Sequence, residues 1–578
     1  MKKSREQVIS TLLEDRVKLA TVSGILTTKP SMIKWVDQSI PEIELITTKS
    51  YQVNPNPGNR EPIVVETDVG CFGNAVGLRN PGMEQGYHEL TELRKQYDLR
   101  AILNVSLSAN SIEDFITLGN RFKDVADMLE LNFSCPHAAT GYGASIGTDA
   151  ELVGKYMLEI RDALGNKVIL VPKLTPNVDE VEEVAYLALM NGADGISAIN
   201  TVGPECYFEP HTGKPILYNP KGHVGGMSGR WIHQIAVSKV EEIKEVLGGD
   251  RILIGMGGVS TSEDVERMHD TGANIVGIGS AIAQVSRADL PRYFEALKID
   301  ANHGSNLANK HVTHHRLAEY QPFKIEQIVE KGDNLKLFQL EGSLDYLASQ
   351  FAFLWVPEVG EKPFSIAKSD PLTFVVRQRD YDPEQSKGLV TNALFQLQEG
   401  DELMLRGVYG AEAPSSDQEN AYIVAGGTGI AVVPKLAEKL FSEGKKVTVF
   451  YGFTDPEETV LLDELCKYAT LVQVPDLDTP GRVLETFRQD FEGTELHRDI
   501  DKSCFYNVGP VPLMEKAMQL QEELGATPEE IYSSLETNNM CGVGLCGECV
   551  CGEQLTCQDG TFFSLDYLRK NHIDINKI

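Results

Sequence analysis

The sequence predicts an α/β protein of several domains: an eight-stranded parallel barrel, an antiparallel β-barrel, an α/β nucleotide-binding domain and a small cysteine-rich end. Three observations predict it. Short apolar strands alternate with amphipathic helical stretches from about residue 17 to 298, which is the pattern of repeated βα units. After residue 322 the pattern changes to period-two segments such as LKLFQLEG and LTFVVRQRD, as antiparallel strands require. Near the end, Cys541, Cys546 and Cys549 stand at C-x4-C-x2-C spacing and Cys557 follows after seven residues, the order of gaps used by plant-type 2Fe–2S sites. A chain of 578 residues is also too long for one core,.

In the first domain, residues 1–298, the strands predicted are Glu44–Thr48, Ala101–Val105, Met128–Phe133, Val168–Lys173, Gly195–Ile199, Ile252–Gly255 and Ile275–Ile278. Helical segments fall between them at 111–126, 149–164, 178–191, 234–247 and 262–271. In a parallel barrel the polar residues just past each strand's carboxyl end gather at one mouth. Lys49 with Ser50, Asn104, Asn132 with Cys135, Lys173, and Asn200 with Thr201 hold those positions. Lysine and asparagine pack poorly, so their recurrence implies a ligand rich in carbonyl and amide groups. Gly257 and Gly258 in GMGGV, and Gly279 and Ser280 in IGSA, follow the last two strands, where barrels hold a phosphate against free backbone N–H groups.

Residues 299–321 lose this periodicity and read as a linker,. Its His303, His311, His314 and His315 have no acidic or cysteine partner among them, so they read as solvated rather than metal-binding,. Residues 322–415 predict an antiparallel barrel of about six strands,. Residues 416–530 open with strand Ala421–Val424, the turn Gly426, Gly427, Thr428, Gly429, and a helix over Ala431–Phe441. Such glycines let a dinucleotide's pyrophosphate approach a helix amino terminus, although the turn alone fits a tight structural turn equally well. Residues 531–578 carry the cysteine loop, in which Gly542, Gly544 and Gly547 allow the positive φ that wrapping a cluster requires,. Zinc would ask for two separated C-x2-C knuckles, and disulfides are rare in a cytosolic chain. Cys551 is a fifth thiol and reads as the spare.

The net charge of −31 disfavours nucleic acid or an anionic membrane surface as partner,. The amino-terminal stretch lacks a signal-peptide core, and no uninterrupted apolar run is long enough to span a membrane,. The other five cysteines, Cys71, Cys135, Cys206, Cys466 and Cys504, are scattered, as in a reduced cytoplasmic protein,.

The motifs ITTKS (46–50), GNAVGLRNPG (73–82), NFSCP (132–136), PKLTPNV (172–178), AINTVG (198–203), GGMSG (225–229) and GMGGV (255–259) resemble class 1 dihydroorotate dehydrogenases, with the NAD-dependent subclass nearest. The likeness covers about 280 residues and implies an FMN-binding (β/α)8 TIM barrel that oxidises dihydroorotate to orotate. It implies Cys135 as the proton-removing base, a role suited to a thiol whose pKa needs only modest lowering,. It places Lys49 with Cys135 in the catalytic set, and Lys49 and Lys173 against FMN, where positive charge favours the anionic reduced flavin,. Asn74, Asn132, Asn200 and Thr201 would hold the pyrimidine, and the backbone of Gly77 and Leu78 its carboxylate. Ser50, Asn104, Gly226, Gly257, Gly258, Gly279 and Ser280 complete the FMN site. One departure is His137, which stands among the substrate-binding positions where the family usually has asparagine. Ser-Cys-Pro-His with Lys-Leu-Thr-Pro-Asn also resembles dihydropyrimidine dehydrogenases acting on uracil or thymine, whereas GNAVGLRNPG is a carboxylate-binding loop that uracil has no use for.

Residues 322–578 resemble the electron-transfer subunit of the same enzymes, a member of the ferredoxin-reductase family, through EKPFSIA (361–367), GGTGIA (426–431), VGPVPLM (508–514) and the cysteine loop. The resemblance implies FAD at Pro363, Phe364, Ser365, Gly388 and Thr391, and NAD at Gly426, Gly427, Gly429, Gly509 and Pro510. It also implies a 2Fe–2S cluster on Cys541, Cys546, Cys549 and Cys557. Lys362 replaces an arginine common in that family and cannot clamp a phosphate bidentately, and the loop after Gly410 lacks the usual glycine-rich finish,. Joined in one chain, the halves imply electron flow from dihydroorotate through FMN, cluster and FAD to NAD, in a homodimer. An NAD-linked dihydropyrimidine dehydrogenase and a diaphorase-like electron carrier are the alternatives, the latter having no need of a base at Cys135.

Overall fold

The computed structural model describes residues 2–133, 144–249, 251–303, 316–382, 387–475, 482–493 and 495–577. The chain divides into two units, residues 1–319 with 543–547, and residues 320–542 with 548–578.

In the first unit, eight parallel strands close a barrel in chain order: Leu19–Thr21, Ile43–Thr47, Ile102–Leu107, Met128–Asn132, Leu170–Lys173, Gly195–Ala198, Ile252–Met256 and Ile275–Ile278. Helices such as Ile112–Phe122, Ala150–Leu164, Val181–Met190, His233–Leu247 and Ser262–Asp270 connect them. The strands are almost wholly buried, which is why they read as continuous apolar runs rather than alternations. Leu45, Ile102, Met128, Val171, Ile254 and Ile275 form an interior cluster joined by Val8 and Leu12 of helix Arg5–Leu12. A capping box starts that helix: Ser4 accepts from the Gln7 N–H, and the Gln7 side chain accepts from the Ser4 N–H,. A separate four-stranded sheet runs in the order Val64–Asp68, Cys71–Asn74, Val224–Gly229, Val202–Cys206.

In the second unit, six antiparallel strands close a smaller barrel: Tyr320–Lys331, Leu335–Leu340, Leu372–Arg377, Gly360–Lys368, Phe351–Val356 and Glu402–Tyr409. A six-stranded sheet follows in the order Thr470–Pro475, Lys446–Phe453, Asn420–Gly426, Ser503–Val508, Ile531–Ser534, Phe562–Ser564. The first five strands run parallel and the last antiparallel.

The elements depart from the sequence reading in places. Helix Leu290–His303 runs on past residue 298, and strand Tyr320–Lys331 begins before residue 322; His311, His314 and His315 lie outside the described residues. The cysteine-bearing end supplies the edge strand Phe562–Ser564 and puts Cys551, Phe563, Leu565 and Leu568 into one core with Tyr422 and Phe505. A segment this short cannot bury enough apolar surface alone and borrows the neighbouring sheet.

Candidate active site

Two adjoining cavities, of about 370 and 190 Å³, open within the first unit and share Ser23, Asn74, Lys173, Asn200, Thr201 and Ser228 in their walls. The smaller adds Lys49, Ser50, Gly77, Leu78 and Asn132, and the larger adds Gly257, Gly258, Gly279 and Ser280. The structure thus brings together most of the barrel positions singled out from sequence. Two are elsewhere. Asn104 sits inside a strand that runs on to Leu107, fully buried and lining neither cavity, and Gly226 pairs with Asn74 in the four-stranded sheet. Cys135 and His137 lie outside the described residues.

Backbone geometry explains the glycines. Gly258 has φ +68°, and a Cβ there would fall 2.7 Å from the Gly229 carbonyl oxygen and 2.9 Å from the His233 nitrogen. Only glycine permits this approach, which brings main-chain groups up to the wall of the larger cavity. At the smaller cavity Gly77 and Leu78 are successive left-handed residues, φ +76° and +58°. A bulky residue held left-handed costs about 1–2 kcal/mol, and Asn56 steadies the turn by donating to the Gly77 carbonyl at 3.1 Å.

The electrostatics favour an anionic ligand with amide edges. Lys49 and Lys173 are 8% and 5% exposed, and Lys173 has no acidic partner among the described residues, although buried lysines are nearly always paired. Asn104 donates from Nδ2 to Thr47 Oγ1 at 3.1 Å, while its buried Oδ1 accepts from nothing among the described residues. A phosphate-bearing heteroaromatic such as FMN fits this donor set, with an anion for the lysines, glycine N–H groups for a phosphate, and amide groups for a ring. Sequence reading quoted GGMSG (225–229) without naming its Ser228 and Gly229 as wall residues, and it missed Ser23, a small residue that carries no periodic signal.

In the second unit, strands Asn420–Gly426 and Ser503–Val508 are neighbours, and the chain leaves them to opposite sides of the sheet. That is a topological switch point, where open α/β sheets bind ligands at the carboxyl ends of their strands. A Cβ on Gly429 would lie 2.7 Å from the Gly509 nitrogen, and one on Gly509 2.8 Å from the Gly426 oxygen. Gly426, Gly429 and Gly509 therefore pack main chain on main chain, with Gly427 at φ +53° and Pro510 capping helix Val511–Glu523. The helix predicted from Ala431 begins instead at Val433, after a 3-10 turn over Gly427–Val432. Pro434 sets this start, since proline fits only a helix's first turn.

Pro363, Phe364 and Ser365 lie half-buried on strand Gly360–Lys368, paired with Phe353, Ala352 and Phe351. Gly388 is left-handed and a Cβ there would meet the Asp380 oxygen at 2.4 Å. Thr391 Oγ1 donates to the Gly388 carbonyl and accepts from the Arg379 N–H.

Cys541, Cys549 and Cys557 are buried, with the Cys549 thiol 3.4 Å from Cys557 Sγ. Hydrogen bonding of the Cys557 thiol with Cys541 and Cys549, together with burial, pushes that thiol well above its ordinary value. Thiols crowded this way become good ligands once cations balance their thiolates. Cys546 is also buried. Among the described residues no three His, Cys, Asp or Glu side chains surround a single-ion position; a two-iron cluster takes four thiolates across two irons. Burial pushes the Cys551 thiol up to about 12.

Among the described residues no helix is long and apolar enough to cross a membrane. The sequence profile described as dihydroorotate dehydrogenase matches residues 13–294. The chain is 39% identical over 237 residues to the dihydroorotate dehydrogenase B (NAD(+)) catalytic subunit of Methanothermobacter thermautotrophicus, 41% of this chain and 74% of that one. It is 35% identical over 271 residues to the same subunit of Thermococcus kodakarensis, 47% of this chain and 84% of that one. It is 34% identical over 291 residues to dihydroorotate dehydrogenase A (fumarate) of Lactobacillus delbrueckii subsp. bulgaricus, 50% of this chain and 84% of that one. A solved chain from a study of flavin-based electron bifurcation in an NADH-dependent reduced ferredoxin–NADP oxidoreductase overlays with a TM-score of 0.38 at 22% identity, over 44% of this chain and 93% of that one, too loosely to bear on the fold. On its barrel sequence, the chain belongs to the dihydroorotate dehydrogenase family.

Proposed function

We propose that the first unit oxidises dihydroorotate to orotate and that the second delivers the electrons to NAD. The observation that carries this reading is the cavity pair, with buried lysines and asparagines at one end and close-approach glycines at the other. Bound FMN would supply a hydride acceptor, and a 2Fe–2S cluster and FAD would supply one- and two-electron carriage toward NAD.

The protein's own residues do the rest. Gly257, Gly258, Gly279 and Ser280 bind a phosphate through N–H groups, and Lys49 and Lys173 favour negative charge on the bound ring. Ser50, Asn104 and Gly226 belong to the same cofactor set by sequence. Asn74, Asn132, Asn200 and Thr201 orient the substrate ring, and the left-handed backbone of Gly77 and Leu78 receives its carboxylate. Cys135 takes the proton from the ring carbon next to the carbonyl, with His137 near it in sequence,. The crevice at Gly426, Gly427, Gly429, Gly509 and Pro510 takes NAD, and Pro363, Phe364, Ser365, Gly388 and Thr391 take FAD. Cys541, Cys546, Cys549 and Cys557 hold the cluster. The relatives named for NAD and for fumarate resemble the barrel about equally, so it is the second unit's glycine crevice that supports NAD as acceptor. A homodimer, which the family resemblance implies, completes the reading and is tested by light scattering.

Anaerobic mixing of purified protein with dihydroorotate or dihydrouracil tests the substrate. Dihydroorotate should bleach the flavin. Bleaching by dihydrouracil alone would overturn the assignment, and bleaching by neither, with NADH still reducing the protein, would leave only an electron carrier.

A further inference from the structure

Beneath the smaller cavity a polar thread runs from residues of the proposed site to a carboxylate, Glu130, that the proposed chemistry does not use. Glu130, 1% exposed on strand Met128–Asn132, accepts a hydroxyl hydrogen on each oxygen, from Ser106 at 2.9 Å and Ser197 at 3.1 Å. Ser106 Oγ is 2.8 Å from Ser50 Oγ, and Ser50 Oγ is 3.1 Å from Ser23 Oγ and 3.2 Å from Asn132 Nδ2. Ser23, Ser50 and Asn132 line the cavity; Ser106 and Glu130 do not.

A serine hydroxyl has one hydrogen and two lone pairs. Ser106 spends its hydrogen on Glu130, so the contact with Ser50 must use the Ser50 hydrogen. With that hydrogen gone, Ser50 can only accept, and its two lone pairs take Ser23 and the Asn132 amide NH2. Every hydrogen along the thread therefore points toward Glu130. The consequence at the cavity is an oriented amide: Asn132 is held with Nδ2 turned to Ser50 and Oδ1 as its acceptor face. An amide's oxygen and nitrogen have the same shape, so a partner that can only accept is what tells one orientation from the other.

We propose that Glu130 is a positioning residue that sets the substrate specificity of the cavity, fixing through Ser106 and Ser50 the Asn132 carbonyl oxygen as an acceptor for a ring N–H. This rests on the reading of the site as a pyrimidine pocket and goes beyond it, assigning the choice of an N–H-bearing ring to a carboxylate outside the cavity wall. A ligand whose matching nitrogen is methylated meets an acceptor it cannot satisfy, which leaves a buried polar group unpaired.

The test uses the full-length flavin-loaded protein and reads the equilibrium binding of orotate and of N-methylated orotates from the flavin absorbance change. The variants are Ser106→Ala, Glu130→Gln and Ser197→Ala. Ser106→Ala cuts the thread, whereas Ser197→Ala removes the other Glu130 contact and leaves the thread whole. We expect Ser106→Ala to weaken orotate on the order of tenfold and to narrow its advantage over the methylated forms, at unchanged FMN content; Glu130→Gln, which keeps one acceptor oxygen for Ser106, should fall between it and the parent. Ser197→Ala should bind as the parent does. Equal losses in Ser106→Ala and Ser197→Ala, or parental binding and discrimination in Ser106→Ala, would overturn the proposal by making Glu130 a structural strut. Should Glu130→Gln fail to fold, the two serine variants decide alone. A parent that binds no orotate would instead overturn the pyrimidine reading itself, and this inference with it.

Discussion

Arg406 Nη1 donates to the Cys541 carbonyl at 2.8 Å, tying strand Glu402–Tyr409 of the smaller barrel to residue 541 of the same unit. The guanidinium is 1% exposed and faces a fully buried Glu361, which also accepts from Tyr320 Oη at 2.6 Å, while Arg406 donates to Tyr409 Oη at 2.8 Å. The cluster of donors is satisfied on every side, as a buried ion pair must be.

Removing one partner should therefore be severe. Arg406→Gln strands the Glu361 charge and should cost about 3–5 kcal/mol, read in urea unfolding of the second unit, with iron content lost first. The double variant Arg406→Met with Glu361→Leu should recover a large part of that loss. Equal stability of single and double variants would deny the pair its role.

The half-reactions should separate. In Gly429→Ala the new Cβ meets the Gly509 nitrogen at 2.7 Å, and such overpacking costs about 1–3 kcal/mol. NADH oxidation with an artificial acceptor should fall, while bleaching by dihydroorotate keeps the parental rate. A loss of both would mean that the crevice is not specific to the nicotinamide end.

Cysteine substitutions should sort the loop. Cys549→Ala should lose iron and acid-labile sulfide. Cys551→Ala should keep both, since Cys551 packs into the hydrophobic core and its carbonyl, not its sulfur, accepts from Tyr567. Iron loss in Cys551→Ala would reassign the ligands.

Alkaline pH should weaken the nucleotide-type sheet through Cys504. Burial pushes this thiol from an ordinary 9.0 up to about 11. Its neutral form is favoured in the fold, so the contribution is complete below pH about 9 and is lost as pH rises toward about 11, up to about 2–3 kcal/mol. Cys504→Ala should flatten the decline in unfolding free energy across that range. An unchanged slope would place the alkaline loss elsewhere.

The barrel was legible because its strands are short, buried and mostly apolar, and Ile275–Ile278 falls where the pattern puts it. Strand Leu19–Thr21 was invisible, since three residues carry no period. Asn104 read as a strand-end residue because its strand seemed to stop at Val105, when it runs to Leu107. Glu130 left no signal at all: one carboxylate in an apolar strand shows nothing of the serines that meet it from other strands. The second unit's glycines were legible as a turn, but their purpose emerged only when Gly429 and Gly509, distant in sequence, proved to touch.

The most direct measurement of the central claim is a single anaerobic incubation of the purified chain, with no other protein, containing dihydroorotate and NAD. The account predicts that orotate and NADH appear together, one for one. Orotate formed without NADH, or only when fumarate is supplied, would contradict it.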